Sequence, residues 1–205
     1  MHPTLEFEEH LWKGGYLRVV GLDEAGRGAL AGPVAVGAVL LPPDAGLLRS
    51  SLSGVRDSKQ LTAVQREEWA AHIRRVAIAW GVGFASAGEI DRWGIVAAVR
   101  FAALRALSDL RSSFDYLLTD FQLHLPSLDV PQTSLVDGDV RSLSIAAASI
   151  LAKTARDAYM VEMERLYPHY GFAQHKGYAT LRHRQAIQAF GLTPLHRRSF
   201  CAKTG

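Results

Sequence analysis

Residues Tyr16–Leu41 read YLRVVGLDEAGRGALAGPVAVGAVLL. The apolar run Tyr16–Leu22, entered from Gly14-Gly15, has the signature of a buried strand, and Pro33–Leu41 that of a second, stopped by Pro42-Pro43. A short Gly-rich link predicts that the two form an antiparallel hairpin. Within the link, Gly26-x-Gly28-x-x-x-Gly32 misses the G-x-G-x-x-G spacing. The segment after it is strand-like rather than a helix N-terminus, and no Walker lysine is present, so a nucleotide loop is excluded. The link instead delivers two adjacent carboxylates, Asp23 and Glu24, at the end of a buried strand. Two such acids repel each other unless something positive sits between them. In a regular strand they would point to opposite faces, so joint action predicts that the backbone turns there. Gly26 and Gly28 permit a turn and a close ligand approach, with Arg27 available for phosphate.

Outward from this hairpin the chain alternates. Thr62 and Gln65 form a Thr-x-x-Gln capping box that starts a helix carrying Trp69, Ile73 and Val76. Ala77–Ala85 reads as a third strand and Ile90–Leu110 as a long helix. Phe114–Thr119 is a fourth strand and Thr133–Val136 a short fifth. From Ile145 the chain is helical until Pro168, and a last helix is expected over Ala179–Phe190, ending at Gly191. The fold class is therefore α/β: a mixed five-stranded sheet flanked by helices, with a C-terminal helical extension. Residues 1–205 read as a single domain with a core over about 18–200 and a basic helical part from about 141.

Composition narrows the function classes. The chain has 205 residues and a net charge of +3, but residues 1–140 carry 13 basic against 17 acidic side chains, whereas residues 141–205 carry 10 against 3. An acidic body beside a basic C-terminal third suits a polyanionic ligand held next to a carboxylate cluster. Lys176 and Arg197 are expected among the phosphate contacts. A single cysteine, Cys201, excludes a disulfide framework and a Cys-rich zinc site. The longest uncharged run, Gly28–Pro43, is 16 residues and interrupted by Gly and Pro, short of the roughly 20 a membrane span needs. The N-terminus is acidic and has no apolar signal region. A cytoplasmic protein without a membrane partner is expected.

Asp120 repeats the logic of Asp23: FDYLLT is apolar and stops at an acid. Asp139, after SLV and the Asp137-Gly138 turn, reads as a third strand-end carboxylate, whereas Asp129 and Asp137 read as turn caps. Carboxylates from three strand ends suit a two-ion oxygen-ligand site for Mg²⁺ or Mn²⁺. Ions roughly 3.5–4 Å apart can stabilise both the attacking and leaving oxygens of a phosphodiester displacement. Ser149-x-x-x-Lys153 is one residue too long for a Ser-x-x-Lys acyl-transfer pair. His169, His175, His183 and His196 lack zinc spacing and read as surface or phosphate-contacting residues. Trp69, Trp80 and Trp93 read as core.

Six segments occur in an order that resembles bacterial type 2 ribonuclease H (ribonuclease HII). They are Asp23-Glu24-Ala25-Gly26-Arg27-Gly28, Asp57–Leu61, Glu89-Ile90-Asp91, Ala146–Lys153, His175–Thr180 and His196–Phe200. The resemblance spans about Arg18 to Phe200. The type 3 relative carries an extra N-terminal domain, and only about 17 residues precede the first strand here. It implies a ribonuclease H-like fold and endonucleolytic cleavage of RNA within RNA–DNA hybrids and at ribonucleotides embedded in duplex DNA. It also implies 5′-phosphate and 3′-hydroxyl products, Mn²⁺ or Mg²⁺ as cofactor, and a role in ribonucleotide removal during replication and repair. No obligate protein partner is evident in the sequence, and a monomer is expected. By this resemblance Asp23, Glu24, Asp120 and Asp139 are the catalytic and metal-binding acids. Gly26, Arg27 and Gly28, assisted by Tyr178, sense the ribose 2′-hydroxyl, and Lys59 contacts the substrate backbone. Two departures stand out. Phe121-Gln122 follows the third acid where the family has Gly-Asn, and Gly94 stands where it has Asn. The alternative is a catalytically weak hybrid-binding protein of the same fold.

Overall fold

The computed structural model describes residues 2–121 and 123–202. The expected hairpin is present: β1 (Val19–Ala25) pairs antiparallel with β2 (Val34–Leu40), which pairs antiparallel with β3 (Ala79–Ala85). On the other side of β1, β4 (Tyr116–Asp120) and then β5 (Gln132–Leu135) add in parallel, giving the order β3-β2-β1-β4-β5. The sheet is mixed and five-stranded, as the sequence predicts.

Two helices pack on opposite faces of it, and glycines decide how closely. A Cβ on Gly21 or Gly37 would lie 2.3 Å from the Ser144 carbonyl carbon or 2.2 Å from the Ala148 oxygen, both in α6 (Leu143–Leu166). On Gly81 or Gly83 it would meet the Ala106 or Ala102 oxygen of α4 (Ala87–Asp109) at 2.3 or 2.1 Å. Helix backbone therefore rests on strand backbone. The small residues Ser144, Ala146, Ala147, Ala148 and Ser149, all buried, are what this contact demands of α6. Val36 and Ala38 face α4 in one core cluster, whereas Val39 joins Ala146–Ala148 in the other. Inside α4, Gly94 (φ 79°, ψ 161°) marks a kink in a conformation that glycine alone adopts readily. The departure at that position therefore lies in the backbone of a helix.

The remaining helices are α1 (Glu6–Lys13), α2 (Ala45–Ser51), α3 (Ala63–Val76), α5 (Gly138–Arg141), α7 (Phe172–His175), α8 (Leu181–Phe190) and α9 (Arg198–Cys201). The Thr62–Gln65 capping box opens α3 as expected, with both reciprocal bonds formed. The last helix begins at Leu181, not Ala179, because Thr180 caps it. The sequence reading missed α1, α2 and the four-residue helices α5, α7 and α9. In α1, Glu8 turns inward and accepts hydrogen bonds from the Ser142 and Ser144 hydroxyls and the Ser144 amide. An acid-rich stretch thus hides a side chain that holds the start of α6, where the helix dipole and the free amides favour a carboxylate.

Candidate active site

The parallel register of β1 and β4 sets Leu22 beside Thr119. The next residue on each strand is an acid, Asp23 and Asp120, at the point where β4 stops. Oxygens of Asp23, Glu24 and Asp120 all lie within 4.8 Å of one another. The expectation that the backbone turns at the acids is corrected. Both Asp23 and Glu24 remain in the β1–β2 ladder, opposite Gly37 and Val36, and the next positive φ after them is at Gly26 (88°). Neighbouring strand residues face opposite ways, so side-chain reach brings the carboxylates together.

Asp23 is 5% exposed. Burial, then the charges of Glu24 and Asp120, push its carboxyl well above the usual carboxylate range, against a hydrogen bond with Ser149. Burial also raises Glu24, opposed by Arg27, whose Nη1 lies 3.3 Å from Glu24 Oε1. Glu24 Oε2 is buried with no hydrogen-bond partner among the described residues. Burial raises Asp120 despite the bond it accepts from the Gly138 amide at 2.8 Å. Three hard oxygen donors that repel one another, one of them orphaned, fit a divalent cation of the Mg²⁺ or Mn²⁺ type.

Asp139 does not end a strand. It lies in the first turn of α5, buried, and its Oδ2 accepts from Lys59 Nζ at 3.1 Å. It is outside the three-acid group, yet close enough to raise both Asp23 and Asp120. Burial works to lower Lys59, but the Asp139 bond together with the charges of Asp139, Asp57 and Asp23 outweighs it, and the ammonium is held above its ordinary value. A cleft of about 240 Å³ is lined by Asp23, Glu24, Asp120, Gly26, Arg27, Gly28, Lys59 and Tyr178, together with Ser58, Ser149 and Lys153. A larger cavity of about 670 Å³ lies along α1 and α2, away from these acids.

Gly26 and Gly28 are glycine for different reasons. A Cβ on Gly26 would fall 1.8 Å from Arg156 Nε, so the protein interior requires it. On Gly28 it would meet nothing within 4 Å among the described residues. Nothing in the fold demands Gly28, and its open side belongs to the cleft. Tyr178 is 36% exposed, with Arg156 and Lys153 over its ring at 5.3 and 5.5 Å. Ser149, Lys153 and Arg156 were not foreseen as site residues. Their spacing of four and then three places all three on one helix face, a signal the sequence did offer.

The C-terminal third also departs from expectation. Arg197 is fully buried and cannot be a surface phosphate contact: it donates to the carbonyls of Gly26, Arg27 and Gly32 at 2.7, 2.8 and 3.0 Å. Burial, then neighbouring Arg156, pulls it down to about 9. His175, His183 and His196 are buried too, and of the four C-terminal histidines only His169 is exposed. His183 and His196 approach Nε2 to Nε2 at 3.1 Å, and His183 Nδ1 bonds to the Tyr178 carbonyl. Burial drops both rings to about 4, so they are neutral at pH 7. Two sequence segments prove to be one contact, since Asp91 accepts from the Arg198 and Ser199 amides at the start of α9. Trp80 and Trp93 are exposed rather than core, each with an arginine over its ring. Phe121 is 53% exposed; Gln122 lies outside the described residues.

One family profile, Ribonuclease HII, matches residues 20–203. The chain belongs to the ribonuclease HII family. The ribonuclease HII of Chloroflexus aurantiacus is 49% identical over 200 residues, which cover 98% of this chain and 94% of that one. Ribonuclease H2 from Pyrococcus horikoshii superposes with a TM-score of 0.73 at 26% identity, covering 91% of this chain and 96% of that one. Bst-RNase HIII, solved in complex with Mn²⁺, superposes at 0.67 and 21% identity, covering 92% and 68%, and shares the fold. The chain is thus a ribonuclease H with the ribonuclease H-like fold, an endonuclease acting on RNA–DNA hybrids and dependent on a divalent metal. No helix among the described residues is long and apolar enough to cross a membrane.

Proposed function

We propose that Asp23, Glu24, Asp120 and Asp139 form the metal-holding catalytic site. In this reading the enzyme cleaves RNA in hybrids and single ribonucleotides embedded in duplex DNA, leaving 5′-phosphate and 3′-hydroxyl ends. Its place is the removal of ribonucleotides left by replication and repair. The observation that carries the reading is the meeting of three carboxylates beside the open face of Gly28. Bound Mg²⁺ or Mn²⁺ would activate water and stabilise the leaving 3′-oxygen.

The chain's own residues do the rest. Ser149 and the β1–β2 ladder fix Asp23. The Gly138 amide fixes Asp120. Lys59 holds Asp139 at the cleft's edge and offers an exposed ammonium to a phosphate. Gly28, without a Cβ, lets backbone approach a ribose closely, and the Tyr178 ring, braced by two cations, is available to stack on the sugar.

The test incubates the purified protein with an RNA–DNA hybrid, a duplex carrying one ribonucleotide, and an all-DNA duplex, in Mg²⁺, Mn²⁺ or EDTA. Cleavage of the first two with either metal, no cut in DNA, and products extendable by a polymerase are expected. Binding without cleavage, or cleavage in EDTA, would overturn the reading.

A further inference from the structure

We propose that Arg197 is a positioning residue for telling ribose from deoxyribose, acting through the peptide planes of Gly26–Gly28. The inference rests on the reading of that loop as the ribose-sensing element. Arg197 comes from the far end of the chain, is fully buried, and spreads its fork over the carbonyls of Gly26, Arg27 and Gly32. Arg156, equally buried, holds the carbonyls of Ala31 and Pro33. Among the described residues neither arginine forms a salt bridge. Two neighbouring buried cations without a counter-ion are expensive, and neutral donors could satisfy the same carbonyls. A guanidinium adds direction, because its donors are rigid and coplanar.

The loop's peptide bonds are trans. In a planar trans peptide the carbonyl and the following N–H point opposite ways. Drawing the Gly26 and Arg27 carbonyls inward therefore turns the Arg27 and Gly28 N–H groups outward. Gly28 itself lines the cleft, and a Cβ on it would meet no described residue within 4 Å. Donors aimed there match the lone pairs of a 2′-oxygen, which DNA lacks. The loop is also pinned from behind: the Leu30 and Ala31 amides donate to the Gly177 carbonyl, and the Leu30 carbonyl accepts from the Arg197 amide.

Binding is measured in an Asp120→Asn background, so that substrate survives, with an RNA–DNA hybrid and a DNA duplex of the same sequence. Arg197→Lys keeps the charge and loses the fork; Arg197→Gln keeps a planar donor and loses the charge. Both are expected to lower the preference for hybrid over DNA at least fivefold while DNA affinity stays within twofold. An unchanged preference overturns the proposal even if the melting temperature falls, because an unfolded fraction scales both affinities alike. Gly28→Ala separates the two levels. If it abolishes the preference and the Arg197 variants do not, positioning by Arg197 is wrong. If all three leave it intact, the ribose-sensing reading has failed as well. Should the Arg197 variants not fold, the Gly28 amide resonance of the Asp120→Asn protein decides. It is expected to shift with hybrid and not with DNA, and the same response to both overturns the proposal.

Discussion

Two parts of this molecule bury like charges side by side and resolve the conflict in opposite ways. At the end of β1 and β4, Asp23, Glu24 and Asp120 crowd together, raised by burial, with Glu24 Oε2 left unpartnered. Behind the 26–33 loop, Arg156 and Arg197 are neighbours too, yet five backbone carbonyls receive their donors. The cationic side is completed by the protein itself at every guanidinium nitrogen but Arg156 Nη1, which has no hydrogen-bond partner among the described residues. The anionic side is completed by something that arrives. A repulsion the fold relieves makes structure, and one it leaves in place makes a binding site.

The largest test of that contrast removes an acid. Asp23→Asn or Asp120→Asn should cut cleavage of a labelled hybrid by more than about a hundredfold, since metal stabilisation of the transition state is worth several kcal/mol. Hybrid binding should hold or tighten as repulsion toward phosphate falls. Full activity in either variant would sink the assignment. The same repulsion makes the cation a stabiliser. At a hundred times its dissociation constant, Mg²⁺ or Mn²⁺ should raise stability by about 2.7 kcal/mol over EDTA. A calorimetric scan should show that gain in the unsubstituted protein and its loss in Asp23→Asn.

Tyr178 sits between the two regions, its ring against Arg156 and its edge in the cleft. Tyr178→Ala should cost about 1–3 kcal/mol on a single embedded ribonucleotide, the worth of an aromatic stack, and less on a long hybrid where many registers are equivalent. Equal losses on both, with a lowered melt, would make the ring a packing element.

The smallest effect concerns acid. His183 and His196 fall to about 4 in the folded protein, below the ordinary value near 6.5. The unfolded chain therefore takes up protons that the folded one refuses. Their contribution is intact above about pH 6.5 and lost as pH drops toward 4, by about 1.4 kcal/mol per pH unit for one ring at most. Asp23 has the opposite sign: raised in the fold, it favours the folded state at low pH and loses that contribution as pH rises through its folded value. In EDTA, melting temperature should fall from pH 7 to pH 5, and more steeply in Asp23→Asn. A flat profile would show that the histidine pair is solvated.

How much of this was legible beforehand depends on the range of the contacts involved. The hairpin, the Thr62 capping box and the strand ending at Asp120 were legible because neighbours in sequence determine them. Asp139 was read as an acid near the others but on the wrong element, since a four-residue helix has no periodicity to detect. The three histidines and Arg197 looked like surface charge because nothing local marks a polar side chain as buried. His183 meets His196 across 13 residues, and Arg197 meets Gly26 across 171. Trp80 and Trp93 failed in the converse way, for an aromatic ring covered by an arginine can stay at the surface.

That separation of 171 residues also sets an order of events in time. The acids belong to β1 and β4, and β4 ends at Asp120, whereas the 26–32 loop waits for Gly177 and Arg197. Closing so long a stretch is entropically late. During synthesis, a nascent chain would therefore assemble its metal-binding acids well before it could fix the loop beside them. The enzyme's chemistry would mature before its discrimination, and the last segment to dock would be the one that commissions it.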